Sequence, residues 1–117
     1  MATLEVNGND LVVRLRPLEK LGAIHGDVRV PLKTVTAVRM TTEPWSELRG
    51  VRAPGTGLPG VIALCTLRGS GVKDFAAVYR HGPAVVVETD GGPFNRLVIS
   101  CADAAGQVNR ITAALPS

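Results

Sequence analysis

Apolar and polar residues alternate in short runs along most of the chain, with turn-forming residues between them. Thr3 to Val6 and Leu11 to Arg16 flank Asn7-Gly8-Asn9-Asp10. Asn-Gly supplies the positive φ angles of a tight primed turn, so the pair reads as an opening hairpin. Leu11, Val13 and Leu15 share one face of the second run, and Arg14 and Arg16 share the other. Pro17 and Gly22 bracket a helical turn. Asp27 to Val30 reads as a strand, Pro31 interrupts it, and Val35 to Thr42 resumes with β-branched residues. Glu43 to Leu48 predicts a short helical turn starting at Pro44.

From Arg49 to Gly60 the chain is too rich in Gly and Pro for regular structure and reads as a loop. Val61 to Leu67 is apolar at nearly every position, which predicts a strand covered on both faces. Strands are also expected over Asp74 to Arg80, Ala84 to Glu88 and Phe94 to Cys101, with turns at Gly69-Ser70-Gly71, His81-Gly82-Pro83 and Asp90 to Pro93.

The period then changes. Ala104, Val108, Ile111 and Leu115 fall at i, i+4, i+7 and i+11 behind Asp103, a good N-cap, and ahead of Pro116. This predicts a helix over about 103–115. The plan is α+β and mostly β, a single domain over residues 1–117: about seven strands closed by one C-terminal helix.

Composition narrows the core. The hydrophobic fraction is 45% but aromatics are only 3% of 117 residues, so Val, Leu, Ile and Ala must fill the interior. The formal charge of +3 comes from cations spread from Arg14 to Arg110. Nucleic acid is a disfavoured partner, because a binder concentrates such charges in a stripe with aromatic stacking platforms. Cys65 and Cys101 lie in apolar runs and read as reduced, buried residues; a disulfide would need Cα atoms within about 7 Å. The first residues have neither a basic start nor an apolar stretch, and no run approaches the ~20 residues of a membrane span. A cytoplasmic location, peripheral to the membrane at most, is the expectation.

Candidate chemistry is sparse. Gly55-Thr56-Gly57-Leu58-Pro59-Gly60 matches G-x-G-x-x-G, but a β-rich run follows it where a dinucleotide site needs a helix N-terminus. His25 and His81 stand in turn-like sequence without metal-ligand spacing, and Ser70 lacks a strand-to-helix elbow. No catalytic, cofactor or metal residue is nominated. Trp45, Arg49, Arg52, Gly55, Thr56 and Gly57 form the candidate anion or partner surface, because guanidinium groups beside glycine amides can hold carboxylate or phosphate. Pairing of either arginine with Glu43 or Glu47 would instead pin the loop, with Trp45 a plug over the core.

The succession of strands, the Val30 to Val38 segment, the pair Ala84 to Val87 and Leu97 to Ser100, and the acidic-capped helix behind it resemble a bacterial pleckstrin-homology-like (PH-like) domain. The resemblance implies a strongly bent antiparallel sheet or open barrel plugged by the helix. It also implies a non-catalytic interaction or scaffolding module, protein-binding and self-associating. Phosphoinositide-binding relatives carry a first-strand Lys and a basic loop; here Arg14-x-Arg16 stands without that Lys, beside the short Asn7 to Asp10 turn. An alternative is a peripheral anionic-lipid or small-anion binder using the Arg49 to Gly60 loop. A third reading is a small-molecule-binding β domain or enzyme.

Overall fold

The computed structural model describes residues 2–23, 26–48, 51–58, 61–69, 71–91 and 93–116, with the side chains of 21–23 and 51–58 outside the description. The opening hairpin forms, but its two-residue loop is Gly8-Asn9 rather than Asn7-Gly8: Asn7 stays in the ladder and the positive φ falls on Gly8 alone of the three. β1 (Thr3–Asn7) and β2 (Asp10–Arg14) pair antiparallel with Asn7 opposite Asp10, and Gly8 takes a φ of 61° in the turn. After α1 (Pro17–Ala23), β3 (Val28–Pro31) adds to β2 and completes a three-stranded sheet. Pro17 opens α1, and Glu19, at its third position, reaches back to accept the Arg16 N–H at 2.8 Å; this is half of a capping box.

The second sheet has six strands in the order β4 (Val35–Thr41), β8 (Ala84–Thr89), β9 (Arg96–Ser100), β7 (Val72–Tyr79), β6 (Ile62–Gly69), β5 (Val51–Leu58). Neighbours are antiparallel except β7 and β9, which run parallel because β9 returns from β8 and inserts between β8 and β7. The fold is thus α+β and mostly strand, with open sheets and a C-terminal helix, α2 (Ala104–Ala114). Nine strands, rather than about seven, are present among the described residues, and the parallel pair departs from an all-antiparallel layout.

The strand with no counterpart among the expected runs is β5, so the expected loop from Arg49 to Gly60 is corrected at 51–58. Its composition is permitted because β5 is an edge strand and its register to β6 shifts between Arg52 and Gly55. That irregularity contains Pro54, which can donate nothing to a ladder and is tolerated at edges and bulges.

Alternation along the central strands sends side chains to two faces, and both are covered. The first face, with Leu64, Phe75, Ala77, Val85, Val87, Leu97 and Ile99, shares one core with Leu11, Val13, Val28 and Val30 of the small sheet and Ile111 of α2. Asp103 caps α2 by accepting the Gly106 N–H at 3.2 Å. Ala104 and Ile111 are buried and Val108 and Leu115 pack partly against the core, which is the predicted stripe. Burying each large aliphatic or Phe side chain is worth about 1.5–3 kcal/mol.

The second face carries Ala63, Cys65, Leu67, Ala76, Val78, Ala84, Val86 and Val98. It is crossed by the chain that joins β4 to β5, which are opposite edges of the sheet. Within that connection a 3-10 turn, Pro44–Glu47, starts at Pro44 as expected, and Trp45 and Leu48 pack down on the second-face cluster. The segment is a strap over the sheet. Cys65 belongs to this face and Cys101 to the first, so the two thiols are separated by the sheet and form no disulfide with each other.

Candidate interaction surface

Trp45 is committed to the strap. Its indole N–H donates to the Arg80 carbonyl at 2.7 Å, and its ring lies 6.5 Å from that of exposed His81. Arg80 holds a φ of 54°, the left-handed region that non-glycine residues enter with strain, and its N–H is fixed on the Val61 carbonyl at 2.7 Å. The geometry matches the plug reading of Trp45, with its polar edge used internally.

The strap is also tied down by charge. Glu47 accepts two hydrogen bonds from Arg39 of β4, at 2.9 and 2.6 Å. Arg96 of β9 donates to the Glu47 carbonyl at 2.9 Å and to the Glu88 carboxylate of β8, and its guanidinium sits 3.6 Å from the Glu47 carboxylate. Glu88 and Arg96 are cross-strand partners in register. The two arginines and two glutamates neutralise one another. Their side-chain exposure falls from 42% at Arg39 and 30% at Glu88 to 18% at Glu47 and 15% at Arg96. Hydrogen bonding from Arg39 holds the Glu47 carboxyl below its ordinary range, against the opposing effect of burial. Among the described residues the partners of Glu47 are thus Arg39 and Arg96. Both sit at ordinary polar positions in the strand alternation, which gives no signal of their meeting.

Of the other candidate residues, Arg52, Gly55, Thr56 and Gly57 lie on β5, aligned with the Leu67 to Ala63 stretch of β6. Arg49, with His25 and Ser70, lies outside the described residues. The G-x-G-x-x-G match leads from β5 into antiparallel β6, where a phosphate site would need a helix.

Arg14 is engaged as well. It donates to Glu5, holding that carboxyl below its ordinary range, and lies 3.6 Å from Asp27, while Asp27 meets Lys20 at 3.7 Å and Arg29 meets Asp10 at 3.0 Å. Three anions and three cations therefore balance on or beside the small sheet. Buried Glu19 accepts from the Tyr79 hydroxyl, and burial together with this bond pushes the Tyr79 phenol well above its ordinary value. An open groove of about 510 Å³ lies between the β1–β2 turn, Leu32-Lys33 and the end of α2. Among the described residues no three His, Cys, Asp or Glu side chains gather as a metal site, and no helix is long and apolar enough to cross a membrane.

The remaining feature is the β4 edge. Thr89 N–H donates to Asn95 and Cys101 N–H donates to Pro83, so odd-numbered residues of β8 turn their backbone groups toward β9. Ala84, Val86 and Glu88 therefore turn theirs toward β4, where they meet Thr41, Arg39 and Ala37. At the register shift between Val35 and Ala37, the Thr36 hydroxyl donates to the Glu88 carbonyl at 3.2 Å. Val38 and Met40 consequently aim N–H and C=O away from the sheet, on a side where β4 has no strand partner among the described residues. Thr36, Ala37 and Met40 are exposed along this strand, Met40 at 47%. No family model, curated protein or solved structure matches the chain.

Proposed function

We propose that this chain is a non-catalytic interaction module of PH-like type that binds protein and associates with itself. The observation that carries the reading is the open six-stranded sheet, which among the described residues ends on β4 and β5 with one strand partner each. An unpaired strand edge offers a row of donors and acceptors to another chain. The non-catalytic part is supported by side chains that fill both faces of the central strands, where a ligand cavity between the layers would otherwise sit. The proposed kinship with PH-like domains extends to strands closed by a capped helix, and not to strand order, since β9 inserts parallel to β7. Sedimentation velocity on the wild-type chain over a wide concentration range tests the proposal. A sedimentation coefficient that rises with concentration is expected; one that stays monomeric throughout overturns it.

A further inference from the structure

We infer that the strap, residues 43–48, is a latched cover that lifts from the second face as a unit while the sheet beneath it stays folded. Among the described residues its backbone-to-backbone bonds, Ser46 N–H to Glu43 and Leu48 N–H to Trp45, stay inside it. What holds it down is side chains. The Trp45 indole sits on the Arg80 carbonyl, Arg39 on the Glu47 carboxylate and Arg96 on the Glu47 carbonyl, and Trp45 and Leu48 have apolar seats. Each anchor can let go without a ladder bond breaking. Arg96 keeps Glu88, Arg39 stays in register with Val86, and the Arg80 N–H keeps the Val61 carbonyl. The bond from the Glu43 N–H to the Thr41 hydroxyl, at 3.0 Å, ties the root of the strap to the end of β4 and survives the motion. The seats are shallow as well. Trp45 and Leu48 are half-buried on a cluster built partly of Ala63, Ala76 and Ala84, whereas Leu, Ile, Val and Phe side chains dominate the first face. Apolar stabilisation scales with the area buried, so the strap is bound less firmly than the strands it covers and opens ahead of them. Cys65, 1% exposed, lies in the covered cluster, so its thiol reports the motion by meeting solvent when the strap lifts.

The test follows alkylation of Cys65 by iodoacetamide in the native chain, read peptide by peptide so that Cys101 is scored separately. When closing outpaces alkylation, the rate measures the population of the open form. Arg96→Met is expected to speed Cys65 alkylation at least about tenfold and Trp45→Phe about fivefold, since each removes one latch. Ile111→Val thins the first-face core away from the strap, so it should weaken the whole fold yet leave the Cys65 rate unchanged. In low urea the wild-type rate should rise with a slope well below that of global unfolding by circular dichroism, because a lifted strap exposes little surface. Acceleration by Ile111→Val that matches its loss of global stability, or a urea slope equal to the global one, would mean that Cys65 is reached only by unfolding the sheet, and overturns the inference. An unchanged rate in both Arg96→Met and Trp45→Phe overturns it too.

Discussion

Arg96→Met is the sharpest probe of the strap, because it keeps the aliphatic stem and removes only the guanidinium. In the wild type that group is 15% exposed and holds the Glu88 carboxylate, the Glu47 carbonyl at 2.9 Å and the Glu47 carboxylate at 3.6 Å. A hydrogen bond to a charged group is worth about 1.5–3 kcal/mol, and an exposed ion pair about 0–1 kcal/mol. Glu88 is 30% exposed and can recover some hydration, while Glu47 keeps Arg39. The sum is a loss of about 2–3 kcal/mol, below the ~3–5 kcal/mol seen when a fully buried pair is broken. In a domain of this size each 1 kcal/mol lowers Tm by about 4 °C, so a drop of about 8–12 °C is expected. Urea unfolding followed by far-ultraviolet circular dichroism should show a lower midpoint with an unchanged slope. Adding Glu88→Gln should restore about 1 kcal/mol, since it removes the stranded charge. A loss under about 0.5 kcal/mol for Arg96→Met would show that the cluster behaves as surface charge and that the strap is held by its apolar side chains alone.

Further outcomes follow from the same geometry. Trp45→Phe should cost about 1 kcal/mol in urea midpoint by deleting the bond to the Arg80 carbonyl. Ile111→Ala, at a 1% exposed position under both sheets, should cost about 2–5 kcal/mol in the same assay. Glu47 has a folded pKa below its ordinary 4.5, so its stabilisation is present above that pH and is lost as pH falls through the lower folded value. Glu47→Gln should therefore flatten the acid limb of a Tm-versus-pH curve. Tyr79 is shifted the other way: its contribution is complete below pH 10.0 and is lost as pH rises further, so Tyr79→Phe should flatten the alkaline limb. Native thiol titration should modify half-buried Cys101 before buried Cys65, and equal rates would contradict their placement.

Features set by neighbouring residues are legible in the sequence. Gly8 specifies the first turn, Pro44 the start of the 3-10 turn, and Asp103 with its apolar stripe the closing helix. The two-sided burial expected of Val61 to Leu67 holds from Ala63 to Leu67, because a run without alternation must be covered on both faces, while Val61 before the strand is exposed. What escapes is set by pairing at a distance. β5 is a strand because β6 templates it, against the preference of its own Gly and Pro residues. The Arg96 bond to the Glu47 carbonyl spans 49 positions, and nothing near either residue announces it. Trp45 is the one member of the predicted surface whose side chain the structure describes, and it turns inward to hold the strap. The β4 edge shows in the sequence only as an ordinary β-branched run; its exposure comes from strand order.

That strand order also constrains how the molecule is made. β9 lies at the centre of the six-stranded sheet, yet it is the last strand to leave the ribosome. A nascent chain ending before Arg96 holds β5–β6–β7 and β4–β8 as separate pieces, with the inner sides of β7 and β8 unpaired. Such edges invite association with other chains during synthesis. The domain should therefore acquire protease resistance abruptly, once β9 has emerged, and not strand by strand.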